Sequence, residues 1–189
     1  MSSISENPEL SSEEVAAQLL VTSSALDELT LPDAVRVVAY MRPRWISAGT
    51  VFIREGEVEQ NDYMLLVLDG DIAVETEIPN LDEGMVLNVI GAGHLIGEMG
   101  LLDGAPRSAT CTASTDVVAA VLTRTELMAL LRDEPELAAR LLMAISKRMA
   151  DRMRDMTKKL NTFAQMNKAL QEELQAAISS HKKRPRGAA

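Results

Sequence analysis

Apolar residues change their spacing twice along the 189 residues of this chain. Near the start they follow a helical period. Ser11-Ser12-Glu13-Glu14 precedes Val15, Leu19 and Leu20, the signature of a capped helix start. A second short helix is expected from Asp33, after Leu31-Pro32, through Val38 to about Met41, with Pro43 ending it. From Trp45 to Leu122 the apolar runs shorten and take up β-branched residues. Strands are expected at Thr50–Arg54, Met64–Leu68, Ile72–Ile78, Met85–Ile90, Ala109–Thr112 and Val117–Leu122. Gly49, Gly56, Asn61-Asp62, Asp69-Gly70, Pro79-Asn80, Asp82–Gly84 and Gly91-Ala92-Gly93 separate them as turns. Alternation such as Asp71-Ile72-Ala73-Val74-Glu75 gives a strand one packed and one wetted face. Short strands at this spacing point to an all-β barrel or sandwich.

From Thr125 the period is helical again. Thr125–Leu131 predicts a short helix, and Pro135 stands where a first-turn proline opens another. The next Pro or Gly is Pro185, so one helix of roughly 45 residues, about 65 Å long, is allowed. Within it Met149, Met153, Met156, Leu160, Phe163, Asn167, Leu170, Leu174 and Ala177 recur at alternating steps of four and three. That is the heptad seam of a left-handed coiled coil, with Asn167 at an a position, where a lone amide favours a parallel, in-register pair. The competing reading is an amphipathic helix lying along its own domain.

Composition narrows the class. The chain is 47% apolar and 3% aromatic, with 25% charged residues, as a globular protein is. Its formal charge of −9 argues against a nucleic-acid binder, whose affinity rests on cations meeting phosphates. No apolar run approaches the ~18 residues that span a bilayer, and the first residues have neither the basic nor the apolar region of a secretory signal. Cys111 is the single cysteine, which excludes an internal disulfide and fits a reducing, cytoplasmic setting.

The chemistry concentrates in 91–110. Gly97-Glu98-Met99-Gly100-Leu101-Leu102 predicts a turn of helix whose first backbone N–H groups are free to cradle an anion. The loop Asp103–Pro106 then delivers Arg107, a side chain suited to bidentate phosphate recognition and charged at any relevant pH. Glu98 would repel a bare phosphate, so a ligand here should also offer hydroxyl donors, as a ribose does. Each residue has a plainer reading too. Glu98 and Arg107 would form only a surface ion pair if the site had decayed. His94 reads as an exposed strand-end residue, since the only other histidine is His181, and Cys111 as a packed thiol.

The run Gly97-Glu98-Met99-Gly100-Leu101-Leu102 with Arg107-Ser108-Ala109-Thr110 resembles the phosphate-binding cassette of cyclic nucleotide-binding domains. The likeness covers Trp45–Leu122, with Gly49–Gly56, the Leu66–Gly70 turn and Gly93 in place, and the helices after Thr125 correspond to the family's B and C helices. Within the family the chain is most similar to the bacterial catabolite activator type. The resemblance implies a double-stranded β-helix (jelly-roll) barrel. It implies that Glu98 accepts the ribose 2′-OH and Arg107 holds the cyclic phosphate, with Ser108, Gly97 and Ala109 adding donors. Val74, Leu87 and Met99 would wall the purine.

Two departures bear on function. The activators carry a helix-turn-helix domain after the dimer helix, whereas here the seam continues and only a basic run, His181–Ala189, follows. Direct DNA reading is therefore not expected. Where the activator presents a small hydroxyl pair to adenine, an ungapped carry-over puts Arg152-Met153, with Arg148 one turn earlier able to reach Glu98 or the ribose. Arginine can donate to guanine O6 and N7 but offers adenine's amino group no acceptor, so base choice stays open between cAMP and cGMP.

The expectation is a mainly β protein with flanking helices: a disordered start over 1–12, a cyclic nucleotide-binding domain over 13–134 with its cassette at 91–110, a coiled-coil dimer helix over 135–180 and a basic tail over 181–189. It would be a cAMP sensor, with cGMP the other candidate ligand. It would act as a homodimer on a protein partner without membrane, metal, cofactor or catalysis. The alternatives are a scaffold with a vestigial site and a sensor of another nucleotide messenger.

Overall fold

The computed structural model describes residues 11–59, 61–76 and 85–182. The expected disorder of 1–12 falls largely outside them, as do the end of the Ile72–Ile78 stretch and most of the basic tail. Ser11 and Ser12 do not: Ser11 caps helix α1 (Ser12–Leu20) in a complete capping box with Glu14. Helix α2 spans Leu31–Val38, two residues earlier than the sequence pattern suggests. The Thr30 hydroxyl accepts from the Asp33 amide, and a proline in the first turn costs no hydrogen bond, so the helix begins before Asp33.

Pro43 does not end that helix. It lies inside strand β1 (Arg42–Ile46), paired with Ala120, so the β region opens before Trp45. β1 is an edge strand, where a residue lacking an N–H breaks no inner ladder. The remaining strands are β2 (Val51–Ile53), β3 (Tyr63–Asp69), β4 (Ile72–Thr76), β5 (Met85–Ile90), β6 (Leu95–Ile96), β7 (Thr110–Ala113) and β8 (Val117–Thr123). The sequence pattern missed β6, which is two residues long and paired with Leu65 and Leu66.

The strands form two antiparallel four-stranded sheets, ordered β1-β8-β3-β6 and β2-β7-β4-β5. Their inner faces meet in a core of Ile46, Ile53, Tyr63, Leu65, Val67, Ile72, Ile90, Ile96, Cys111, Ala113, Val117 and Ala119. Tyr63 to Val67 is buried throughout, as a strand covered on both faces must be, while Val117–Thr123 alternates. The architecture is a jelly-roll with flanking helices.

Helix α3 (Glu98–Asp103) interrupts the strands between β6 and β7, and α4 (Arg124–Asp133) follows β8. Helix α5 begins at Pro135 and runs to Lys182, past the expected end of the rod. The described residues divide into two compact units, one ending at Ser146 and one beginning at Lys147. The first turns of α5 bury Leu137, Ala138, Leu141, Ala144 and Ile145 in the first unit. Ion pairs tie that unit together: Arg36 with Glu134, Arg42 with Glu126, and Arg140 with Asp33 at 2.9 Å. The Arg140 guanidinium holds the Asp33 carboxyl below its ordinary value against the opposing effect of burial. In the second unit Met153, Met156, Leu160, Phe163, Leu170 and Leu174 are all exposed.

Candidate functional site

The cassette is built where β6 leaves its sheet. Gly97, with φ of +81°, turns the chain from β6 into α3 and occupies the helix N-cap. Its conformation suits glycine, and so does its surroundings. A Cβ here would sit 2.7 Å from Arg107 Nη1 and 2.9 Å from the Tyr63 carbonyl oxygen. Gly100 is constrained by space alone: a Cβ there would lie 2.7 Å from the Asn61 carbonyl oxygen and 3.0 Å from Arg107 Nη1. Gly97 is thus kept small by the Arg107 guanidinium and the Tyr63 carbonyl, and Gly100 first by the Asn61 carbonyl and then by Arg107.

Arg107 enters from the loop before β7 and is 5% exposed. Nη1 donates to the Gly97 carbonyl at 3.0 Å and Nη2 to the Tyr63 carbonyl at 3.0 Å. The guanidinium lies over the Tyr63 ring at 4.6 Å, and Arg44 approaches the same ring at 5.4 Å. The Tyr63 hydroxyl donates to the Phe52 carbonyl at 2.9 Å, which fixes the ring between them. The backbone of Arg107 exchanges hydrogen bonds with the Gly56-Glu57 turn.

Glu98, the first residue of α3, is 4% exposed. A surface ion pair between Glu98 and Arg107, the plainer expectation, is therefore incorrect, because both groups are inside. Burying two ionisable groups is costly unless other charges or dipoles compensate, so such groups mark functional sites more often than stability devices. Cys111 on β7 is packed as expected. Burial raises its thiol to about 11, the Arg107 charge opposing and the Glu98 charge reinforcing that rise.

The other expected site residues divide. Ser108 is exposed and Ala109 half-buried at the entry to β7. Val74 on β4 is half-buried and packs against the core. Leu87 on β5 and Met99 on α3 are about half exposed, at 49% and 47%. Arg148 and Arg152 lie on α5 in the second unit. His94, expected to be exposed, is half-buried, with Nδ1 3.0 Å from the Gly91 carbonyl oxygen. Among the described residues no cluster of His, Cys, Asp or Glu could hold a metal ion, and no helix is long and apolar enough to cross a membrane.

Three residues that the sequence did not single out complete the site. Tyr63 supports Arg107 as described. The buried Asn61 donates through Nδ2 to the Gly104 and Ala105 carbonyls at 2.8 and 3.0 Å, closing the end of α3. Arg124 Nη2 donates to the Gly100 carbonyl at 3.0 Å. A polar Asn and an aromatic at the mouth of an otherwise aliphatic strand was the available signal for the first two.

Residues 43–134 match the family described as the cyclic nucleotide-binding domain. A cyclic nucleotide-gated potassium channel of Rhizobium etli is 33% identical over 121 residues, which is 64% of this chain and 32% of the channel. A CRP-like cAMP-activated global transcriptional regulator of Mycobacterium tuberculosis is 28% identical over 100 residues, 53% of this chain and 43% of the regulator. The chain thus spans about a third of the one and under half of the other. The crystal structure of a cyclic nucleotide-binding domain from Methylobacillus flagellatus superposes with a TM-score of 0.65 at 29% identity, covering 76% of this chain and 79% of that one.

Proposed function

Residues 43–134 form a cyclic nucleotide-binding domain, and from that premise we propose that the chain is a dimeric cAMP sensor acting on a protein partner. The observation that carries the reading is the burial of Glu98 and Arg107 together with the two glycines that make room for the guanidinium. In the bound state Arg107 turns its donors to the cyclic phosphate, and the amides of Gly97 to Gly100 and Ala109 supplement it. Glu98 accepts the ribose 2′-OH. Ser108 adds a hydroxyl donor, while Val74, Leu87 and Met99 flank the base. An arginine presented to the base, the role assigned to Arg152, would admit cGMP as a competing ligand, while Arg148 would reach Glu98 or the ribose.

The output is a population shift between two arrangements of the cassette relative to the helices that follow it. The seam from Met149 through Leu174 pairs two copies in parallel, with Asn167 setting the register. The formal charge of −9 supports a protein partner rather than DNA as the target. We place this sensor in the cytoplasm, where Cys111 stays a thiol, and assign it no catalytic step.

Isothermal titration with cAMP and with cGMP tests the reading. Saturable heat with the wild type and its loss in Arg107→Ala is expected. No heat with either nucleotide, or unchanged affinity in the variant, sinks it.

A further inference from the structure

We propose that one flank of α5, beside its heptad seam, is the docking surface for the protein partner, and that it takes an acidic amphipathic helix. The inference rests on the dimer reading above and names the chemistry of the partner.

The formal charge of −9 conceals a segregation that follows the division of the chain into its two units. Residues 1–146 carry 8 Lys and Arg against 24 Asp and Glu, whereas residues 147–189 carry 11 against 4. The first unit is thus formally −16, and the sequence from Lys147 onward is formally +7. Such asymmetry between the parts of one chain marks the cationic part as an interaction segment for something acidic.

The cations are ordered along the helix. With Asn167 at an a position, the e positions beside the seam are Ala150, Thr157, Ala164, Gln171 and Ile178. The b positions, next outward, are Lys147, Arg154, Asn161, Lys168 and Gln175. Neither row holds an acidic residue: Asp151, Asp155, Glu172 and Glu173 all fall at c, f or g. The acid-free flank runs from Lys147 to Ile178, about 47 Å along the helix. It is also open. Ala164 is exposed, and Ile178 is 57% exposed although it lies off the seam. The Arg154 pair with Asp151 at 2.7 Å is made at the surface between neighbours on the same helix, and such a pair contributes little that a docking acid must displace.

The pattern selects the occupant. Small and apolar side chains at e let a third helix approach closely, and the b row then meets its flank with cations at seven-residue multiples, about 10.5 Å apart at the closest. An amphipathic helix with an acidic residue in each heptad presents charges at that same spacing. Nucleic acid does not: each strand carries a phosphate every 3.4 Å, so most would lie against Ala, Thr and Ile rather than against a cation. A further copy of α5 offers no continuous acidic row, because its four acids are scattered over three positions of the heptad.

A fluorescent peptide of about four heptads, with Leu on its apolar face and Glu beside it, is the probe, titrated against the full chain by anisotropy and sedimentation velocity. It should add to the dimer, giving a complex that contains two chains, and its affinity should fall several-fold as salt rises from about 50 to 500 mM. The same peptide with Lys for Glu should not bind. Ala164→Glu sets a carboxylate on the e row, opposite Lys159 of the partner subunit in a parallel pair, so it should leave the dimer intact while weakening the acidic peptide at least tenfold. Lys168→Glu, on the b row and away from the seam, should weaken it about threefold or more. Unchanged peptide affinity in both variants overturns the proposal. So does equal binding of the Lys peptide, or a complex of one chain with one peptide, which would mean that the seam itself was occupied. Tighter binding of a random-sequence DNA duplex than of the acidic peptide also overturns it. A monomeric wild type instead overturns the dimer reading on which the inference stands.

Discussion

Arg107 stacks its guanidinium 4.6 Å from the ring centre of Tyr63 and donates to the backbone carbonyl of that same residue at 3.0 Å. One residue thus holds the proposed phosphate ligand through its face and its backbone together. The carbonyl survives any substitution, but the ring does not. Tyr63→Leu should therefore weaken cyclic nucleotide binding by about tenfold, the loss of a desolvated cation–π contact. Tyr63→Phe removes only the bond to the Phe52 carbonyl and should cost about 1 kcal/mol of stability with little change in affinity. Titration calorimetry and urea unfolding read the two quantities separately; equal affinity losses in both variants would contradict the stacking role.

Gly97 cannot take a side chain without moving Arg107. Gly97→Ala adds left-handed backbone strain of about 1 kcal/mol or more and a clash 2.7 Å from the Arg107 nitrogen. Both a lower melting temperature and at least a tenfold loss of cAMP affinity are expected. A variant that melts lower yet binds as wild type would show that Arg107 takes a bound pose independent of this contact.

The exposed face of α5 should disappear on dimerisation. Leu160 and Leu170 are 66% and 61% exposed in the single chain, and burying each contributes about 1.5–3 kcal/mol. Sedimentation equilibrium should report a dimer for the wild type and a monomer for the Leu160→Glu, Leu170→Glu double variant. Asn167→Leu should raise the melting temperature of the dimer while allowing higher-order species, because the buried amide that selects the register is gone. A monomeric wild type across micromolar concentrations would remove the dimer from the proposal.

Cys111 links stability to alkaline pH. Its thiol titrates at about 11 in the folded state against an ordinary 9.0, so the folded state holds a proton that the unfolded state releases between those values. The stabilisation is complete below 9.0 and fades as pH rises toward 11, by about 2–3 kcal/mol in all. Cys111→Ala should abolish this part of the pH dependence. The difference in urea midpoint between wild type and variant should then shrink from pH 9 to pH 11. Native Cys111 should also resist alkylation at neutral pH and react on unfolding. Rapid modification of the folded protein at neutral pH would contradict its burial.

Much of the fold was legible because its cues are local. The Ser11–Glu14 capping box, the Val117–Thr123 alternation and the glycine at the start of α3 each lie within a few successive residues. The errors have the opposite character. Pro43 reads as a helix terminator until its strand is known to be an edge, and Leu95–Ile96 forms a strand only because β3 lies alongside. The burial of Glu98 and Arg107 was likewise invisible, since a charged residue in a glycine-rich loop carries no sign of what will cover it.

The sequence by itself determined the strand-and-turn rhythm, the cassette motif and the heptad seam, because periodicity and turn chemistry act between near neighbours. Only the tertiary structure decided what meets the cassette. Tyr63 and Arg107 are 44 positions apart, and Asn61 and Gly104 are 43 apart. Arg124 stands 24 positions beyond the carbonyl it holds. These contacts exist because β3 and β8 pair in one sheet and bring the mouth of β3 and the start of α4 together beside α3. Spacing along the chain carries no record of that closure, so the residues proposed to bind were readable and those that hold them in place were not.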